Sequence, residues 1–276
     1  MNFEDNKKKI SVSKINTYLN CPRQFDLKYI RKIPASNETK KDNIAIGLAF
    51  HKTIDYFFKI GEWLDTFSAT LNEIGVKEEE MQEFYAKKEK QLKNSTKILP
   101  STYEIYRNLW SFFYDKFKDF KKEEILTEMK IEFNFNKKYD FNGIIDYYDF
   151  EKNQIVDWKT AKRAWNEKDV IKTQDLIYSY IIYEQTKKIP IFKYFVFVYS
   201  EMGEISLQNF EITHTKESIN EAKTLLKETI KNIEKKVFFK NTNSFLCSKD
   251  YCEWYDLCEG YKEKIRVVKG GEEIYE

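Results

Sequence analysis

Gln154-Ile155-Val156-Asp157-Trp158-Lys159-Thr160 opens apolar and becomes charged at its centre. A β-strand sends successive side chains to opposite faces, so Ile155, Asp157 and Lys159 share one face and Val156 and Trp158 the other. The apolar lead-in marks a buried strand, and a buried charge must be paired or bound to a cation. The acid-x-Lys spacing alone says little. It recurs at Asp26/Lys28, Glu38/Lys40, Asp119/Lys121, Glu128/Lys130 and Glu234/Lys236, where a solvated ion pair accounts for it. Asp157 and Lys159 stand apart because of Asp146, eleven residues upstream in Gly143-Ile144-Ile145-Asp146. A short hairpin around Lys152-Asn153 would bring Asp146 opposite Asp157. Two facing carboxylates repel unless a cation lies between them, and hard oxygen ligands favour Mg²⁺ or Mn²⁺. Such an ion lowers the pKa of a bound water, while Lys159 can orient that water or offset charge on a phosphate.

Working outward, Met129, Ile131, Phe133 and Phe135 alternate with polar residues, the period of a half-buried strand. Asn142-Gly143 and Lys152-Asn153 read as turns or strand ends around strands over 143–151 and 154–159. Helical spacing covers 11–30, broken at Cys21-Pro22, then 45–59, about 77–120, 167–185 and 216–237, with strands over 192–199 and 204–212. The order is helices, three strands, helix, two strands, helix. It predicts an α/β layer fold with a mixed sheet, a single domain over 1–276 carrying a helical insertion at about 62–122.

With 276 residues the chain can bury a substantial core. Lys+Arg 47 against Asp+Glu 45 gives +2, which excludes a global basic field, so any nucleic-acid contact must be local. Met1–Lys9 is polar with no apolar core of a secretory signal, and the apolar run Ile191–Tyr199 is interrupted by Lys193 and too short to span a bilayer. The expected compartment is the cytoplasm, with no membrane association. There a structural disulfide is not expected, so Cys21, Cys247, Cys252 and Cys258 need another use. One lies near the start and three lie within twelve residues near the end. Four thiolates can hold tetrahedral Zn²⁺ or an iron-sulfur cluster, stapling the two ends; buried free thiols are the alternative.

Gly143-Ile144-Ile145-Asp146 followed by Ile155-Val156-Asp157-Trp158-Lys159-Thr160 resembles the core of the PD-(D/E)XK nuclease superfamily, specifically its RecB-like exonuclease branch. Gly47-Leu48-Ala49-Phe50-His51 is similar to that branch's upstream helix motif, and Gln174-Asp175-Leu176-Ile177-Tyr178 to its downstream Gln-x-x-x-Tyr motif. The resemblance implies a restriction-endonuclease-like mixed sheet flanked by helices. It implies a metal held by His51, Asp146, Asp157 and the main-chain carbonyl of Trp158, with Lys159, Gln174 and Tyr178 as catalytic or phosphate-facing partners. From the residues alone His51 could instead be satisfied by Asp55, and Gln174 and Tyr178, which share a helix face, could be interior polar residues. Glu128 occupies a place where the branch often carries an acid, yet beside Lys130 it reads equally as a solvent-facing pair. His214 reads as a surface residue.

The cysteine words also resemble the branch: Leu19-Asn20-Cys21-Pro22-Arg23-Gln24-Phe25 and Cys252-Glu253-Trp254-Tyr255-Asp256-Leu257-Cys258 look like the paired motifs of AddB-type nucleases and CRISPR-associated adaptation nucleases, which implies a 4Fe-4S cluster. The spacing Cys247-x4-Cys252 is two residues longer than usual, so zinc stays open. The expected activity is metal-dependent hydrolysis of DNA, as an exonuclease on single strands or duplex ends, in repair, recombination or phage DNA processing. A catalytically silent DNA-binding or scaffolding subunit is the alternative. Arg23, Lys162, Arg163 and Trp165 are candidate DNA contacts by position. No Gly-x4-Gly-Lys-Ser/Thr occurs, so a helicase, recombination or CRISPR protein would be a separate partner.

Overall fold

In the computed structural model of the chain, residues 8–35, 42–60, 102–119, 125–170 and 172–258 are described. The chain divides into two compact units, one of 1–12 with 42–225 and one of 13–41 with 226–276.

The first unit is built on β1 (Lys8–Ile10), β2 (Ile125–Asn134), β3 (Tyr139–Asp149), β4 (Gln154–Ala161), β5 (Ile191–Tyr199) and β6 (Ile205–Thr213). Their order is β1-β3-β4-β5-β6, with β2 also paired to β3. The β1–β3 and β4–β5 pairs are parallel and the others antiparallel, which makes a mixed sheet. Strand β5 is apolar on both faces, as a central strand covered on each side must be. One face packs on α3 (Asp42–Ile60) and α4 (Thr102–Phe117), where Phe50, Phe57, Leu109, Trp110 and Phe113 meet Val156, Trp158 and Phe197. Trp158 stacks on Phe195 at 5.1 Å and takes the edge of Phe113 at 5.5 Å, contacts worth about 0.5–1.5 kcal/mol each beyond their buried area. The other face belongs to α6 (Thr173–Thr186), which follows the single turn α5 (Glu167–Val170) and carries the chain between the parallel strands β4 and β5. Tyr194, pointing opposite to Phe195, donates its hydroxyl to Asp175 of α6 at 3.2 Å.

The second unit contains α1 (Val12–Asn20), α2 (Pro22–Phe25), a π-helical turn over Asp26–Ile30, the end of α7 (Lys216–Glu234) and the tail to 258. Its two chain segments are tied by specific bonds: Tyr18 Oη donates to Val237 O at 2.8 Å, Arg23 N–H to Phe239 O at 3.0 Å, and Trp254 Nε1 to Ile33 O at 2.8 Å. Cys21 sits between α1 and α2 with extended backbone, and Pro22 starts the new helix as the sequence predicts.

Several expectations change. Strand β1 is additional. Asn142-Gly143 lies inside β3 and is no turn. Helical spacing over 167–185 resolves into α5 and α6, and the last helix stops at Glu234. Of the segment read as an insertion, 61–101 lies outside the described residues, while α4 is part of the core, with Leu109, Trp110 and Phe113 fully buried. His214 is not a surface residue: its side chain is 12% exposed and its Nε2 lies 3.0 Å from Asp175 Oδ2. Among the described residues no helix is long and apolar enough to cross a membrane.

Candidate active site

The site grows from a fork in the sheet. Along one edge of β3 the partner is β2 from Asp140 to Asp149, save at Asp146, but along the other β1 pairs only to Phe141 and β4 only from Tyr147. Backbone groups in the gap need other partners. Tyr178 Oη donates to Ile144 O at 2.8 Å, and Trp158 N–H donates to Asp146 Oδ2 at 3.0 Å. Tyr147 pairs with Val156, so the next residue on each strand, Asp146 and Asp157, face each other where the strands part. The hairpin anticipated at Lys152-Asn153 sets this register: Asp149 accepts from Lys152 N–H at 2.9 Å, and Asn153 takes the left-handed conformation the turn needs.

Antiparallel pairing of β2 with β3 adds a third acid. Thr127 pairs with Tyr147 and Met129 with Ile145, which leaves Glu128 directly across from Asp146. Glu128 has φ +47°, a left-handed backbone that costs an L-residue roughly 1–2 kcal/mol and breaks the ladder at this pair. Strain of this kind concentrates at functional sites. His51 of α3 completes the group, its Nδ1 3.2 Å from Asp146 Oδ2, and one ligand atom each from His51, Glu128 and Asp146 lie within 4.8 Å of one another. Burial, then the charges of Asp146 and Asp55, raise the Glu128 carboxyl above its ordinary range. Asp146 moves the other way: burial opposes its charge, but His51, Lys159 and the Trp158 N–H outweigh it and hold the carboxyl down. For His51 burial again opposes charge, and the adjacent Asp146 wins and raises it.

Asp157 stands beside this trio and is engaged elsewhere. Its Oδ1 accepts from Gln174 Nε2 at 2.5 Å and its Oδ2 lies 2.5 Å from Lys159 Nζ. Oδ2 is buried against that ammonium. Burial pushes the Asp157 carboxyl up to about 6, with Lys159 pulling down and Asp146 pushing further up. Lys159 is held charged, the nearby Asp157 and Asp146 outweighing burial. The two acids set face to face at Glu128 and Asp146, with His51 beside them, fit a divalent cation by the chemistry of their donors.

Gln174 and Tyr178 share one face of α6 as expected, but their tasks differ. Gln174 grips Asp157, whereas Tyr178 plugs the β3 gap; its ring lies where a Cβ on Gly143 would come within 2.8 Å. Gly143 is therefore a packing glycine. Glu128 is the residue sequence reading left undecided, and only the β2–β3 register reveals it. Among the candidate DNA contacts, Arg163 makes a bidentate pair with Asp169 at 2.7 and 2.8 Å, and Arg23 is 3.1 Å from the buried Asp26. Lys162 is exposed, and Trp165 is partly buried under Lys172.

In the second unit Cys21, Cys247, Cys252 and Cys258 line one pocket together with Gln24, Leu27 and Trp254. Burial, then the neighbouring cysteines Cys21 and Cys258, raise the Cys247 thiol; Cys252 is raised by burial and by the other three, against one backbone hydrogen bond from Trp254. The four thiols thus supply the donor type that zinc or an iron-sulfur cluster takes, although no three of their sulfurs come within 4.8 Å of one another.

Comparison with solved structures finds a provisionally named exonuclease from Eubacterium rectale, 14% identical, with TM-score 0.48 over 97% of this chain and 92% of that one. It also finds the protein SSO0001, 15% identical, with TM-score 0.41 over 94% and 89%. No curated protein matches. A family profile described as the PD-(D/E)XK nuclease superfamily matches residues 9–259. That match spans both the β3–β4 fork and the four cysteines, and the chain belongs to the PD-(D/E)XK nuclease superfamily, whose members are hydrolytic nucleases that use divalent metals.

Proposed function

We propose that the protein is a Mg²⁺- or Mn²⁺-dependent deoxyribonuclease acting as an exonuclease on single strands or duplex ends. The observation that carries this reading is the buried Asp157–Lys159 pair facing Asp146 at the open end of the β3–β4 ladder. His51, Asp146, Asp157 and the Trp158 carbonyl would hold the ion, with Glu128 as a further carboxylate within reach. A bound divalent ion supplies Lewis-acid polarisation of the phosphate and a more acidic water. Lys159 positions that water and offsets charge developing on the phosphate, and Gln174 fixes the carboxylate of Asp157 so that one oxygen stays directed at the site. An imidazole donor favours Mn²⁺ over Mg²⁺.

The RecB-like resemblance supports an exonuclease, and the cysteine words support a 4Fe-4S cluster on Cys21, Cys247, Cys252 and Cys258, with zinc as the alternative. A helicase, recombination or CRISPR protein would deliver the DNA ends, and the cytoplasm would be the place of action. End-labelled single- and double-stranded DNA incubated with Mn²⁺ or Mg²⁺ is the test. The wild-type protein should degrade it, and Asp157→Ala should slow degradation by about three orders of magnitude. Equal degradation by both proteins, or none by the wild type with either ion, sinks the reading.

A further inference from the structure

A second lysine stands at this site without a task. Lys172 precedes α6, and its N–H donates to Asp175 Oδ1 at 3.0 Å, which fixes it two residues ahead of Gln174. Its ammonium lies 4.0 Å from the centroid of the Trp165 ring. Among the described residues no carboxylate forms an ion pair with Lys172, in contrast to Lys159 with Asp157 and Arg163 with Asp169. Yet the charges of Lys159 and Asp157 both act on it.

The ring beneath it is firmly built in. Trp165 N–H donates to Gln208 Oε1 at 2.7 Å, and Gln208 Nε2 donates back to Trp165 O at 3.1 Å, so one β6 side chain clamps both sides of the residue. The indole also meets Tyr194 edge-on at 5.5 Å and stacks on Phe210 at 6.4 Å. Arg163 and Asp169 close the loop on either side of it. An aromatic face holds an ammonium in place without neutralising it, so the charge remains available to an anion. The groups whose charges face Lys172 are Lys159, Asp157, Asp169 and Asp175; burial and Lys159 together make it give up its proton more easily than usual. The repulsion between Lys159 and Lys172 is relieved when an anion enters beside them.

We propose that Lys172, propped on Trp165, binds a non-bridging oxygen of a DNA phosphate next to the scissile one. Lys159 then serves the reacting phosphate and Lys172 its neighbour, which fixes where the strand sits. The inference rests on the nuclease reading above and adds a strand-positioning residue to it.

The experiment compares the full chain with Lys172→Ala, Lys172→Arg and Trp165→Leu. One arm measures kcat and KM on a labelled single strand with Mn²⁺. The other measures binding of the same strand in an Asp157→Asn background over a series of salt concentrations. Lys172→Ala should raise KM and Kd roughly tenfold, with the loss falling on KM rather than kcat. It should also flatten the dependence of log K on log salt by about 0.7, one phosphate contact on a single strand. Lys172→Arg should restore both, and Trp165→Leu should share the KM defect. A merely structural role would not change the salt slope. An unchanged slope and KM, or a loss confined to kcat, overturns the proposal. Should the wild type bind but cut nothing, the changed slope in Lys172→Ala would still uphold the phosphate contact while the hydrolytic reading fails.

Discussion

At the fork in the first unit, two of the three acids already face a cationic partner: Asp157 lies against Lys159 and Asp146 against His51. In the second unit four cysteines line one pocket, and Lys240 donates to the main-chain carbonyl of Cys258. The fork is charge-compensated by its own side chains, pair by pair; the cysteine pocket has one lining cation, Lys240, for four thiols. A compensated site can be held in shape by its fold and wait for its ion, whereas an uncompensated one gains its cohesion from the ion. The two segments of the second unit are joined by Tyr18, Arg23 and Trp254, each reaching a main-chain carbonyl of the other segment, and by the rings of Tyr18 and Phe25 packed on Phe238. Ion loss at the two places should therefore cost very different amounts.

The largest effect expected is at the cysteines. Structural thiolate sites contribute on the order of 10 kcal/mol to the folding of the element they hold. On the proposed 4Fe-4S reading, Cys252→Ser should lose visible absorption and iron, and trypsin should cut within 13–35 and 226–258. Asp157→Asn should keep its iron and resist trypsin as the wild type does. A Cys252→Ser protein that retains iron and protease resistance would erase the contrast, and a colourless wild type containing zinc would shift the assignment to zinc.

Next comes the pH dependence of the fork. Binding a divalent ion requires Asp157 ionised and His51 neutral. Burial raises Asp157 from 3.8 to about 6, and Asp146 raises His51 above 6.5. Both protons must leave, so Mn²⁺ affinity falls as pH falls, first through the raised His51 value and then through about 6. The two groups carry opposite signs for stability. The raised carboxyl of Asp157 costs folding free energy above about 6, a cost that fades as pH drops towards 3.8. The His51–Asp146 pair adds stability that is full below 6.5 and is lost as pH rises through the raised value. Calorimetric titration with Mn²⁺ should show roughly ten- to a hundredfold weaker binding at pH 5.5 than at pH 8, and a smaller rise in melting temperature on adding the ion. Equal affinity at both values would mean that neither group is a ligand.

How far the sequence carries depends on whether a signal is local. Strands β3 and β4, and the meeting of Asp146 with Asp157, were readable because period-two alternation and a tight hairpin fix both the face and the register. The broad apolar stripe of α3 and its His51 were readable for a similar reason. Glu128 depends on which β2 residue lies across from Asp146; the four-residue turn over 135–138 sets that register, but with Asn142-Gly143 read as the turn the pairing is hidden, and beside Lys130 Glu128 reads as solvated. His214 meets a partner 39 residues away, beyond any window of pattern reading. Strand β1 is three residues with one buried side chain, Ile10, too short for any period. Asn142-Gly143 misled because glycine marks a turn and a close approach alike, and here Tyr178 needs the space.

The smallest effect tests whether compensation at the fork extends to its backbone. The resemblance implies a catalytic or phosphate-facing Tyr178, yet its phenol donates to Ile144 O in the gap between β1 and β4. Burial raises that phenol further, so it remains a proton donor at any working pH. Tyr178→Phe should therefore cost about 1 kcal/mol of stability, the worth of one hydrogen bond, and leave KM and its salt dependence unchanged. Gly143→Ala should cost more, about 1–3 kcal/mol, because its methyl would lie 2.8 Å from the Tyr178 ring and force the helix or β3 to yield. Denaturant titration of the two variants checks the order. A Tyr178→Phe variant with wild-type stability and a raised KM would show that the hydroxyl leaves Ile144 for the DNA, and that the fork's compensation stops at its charged side chains.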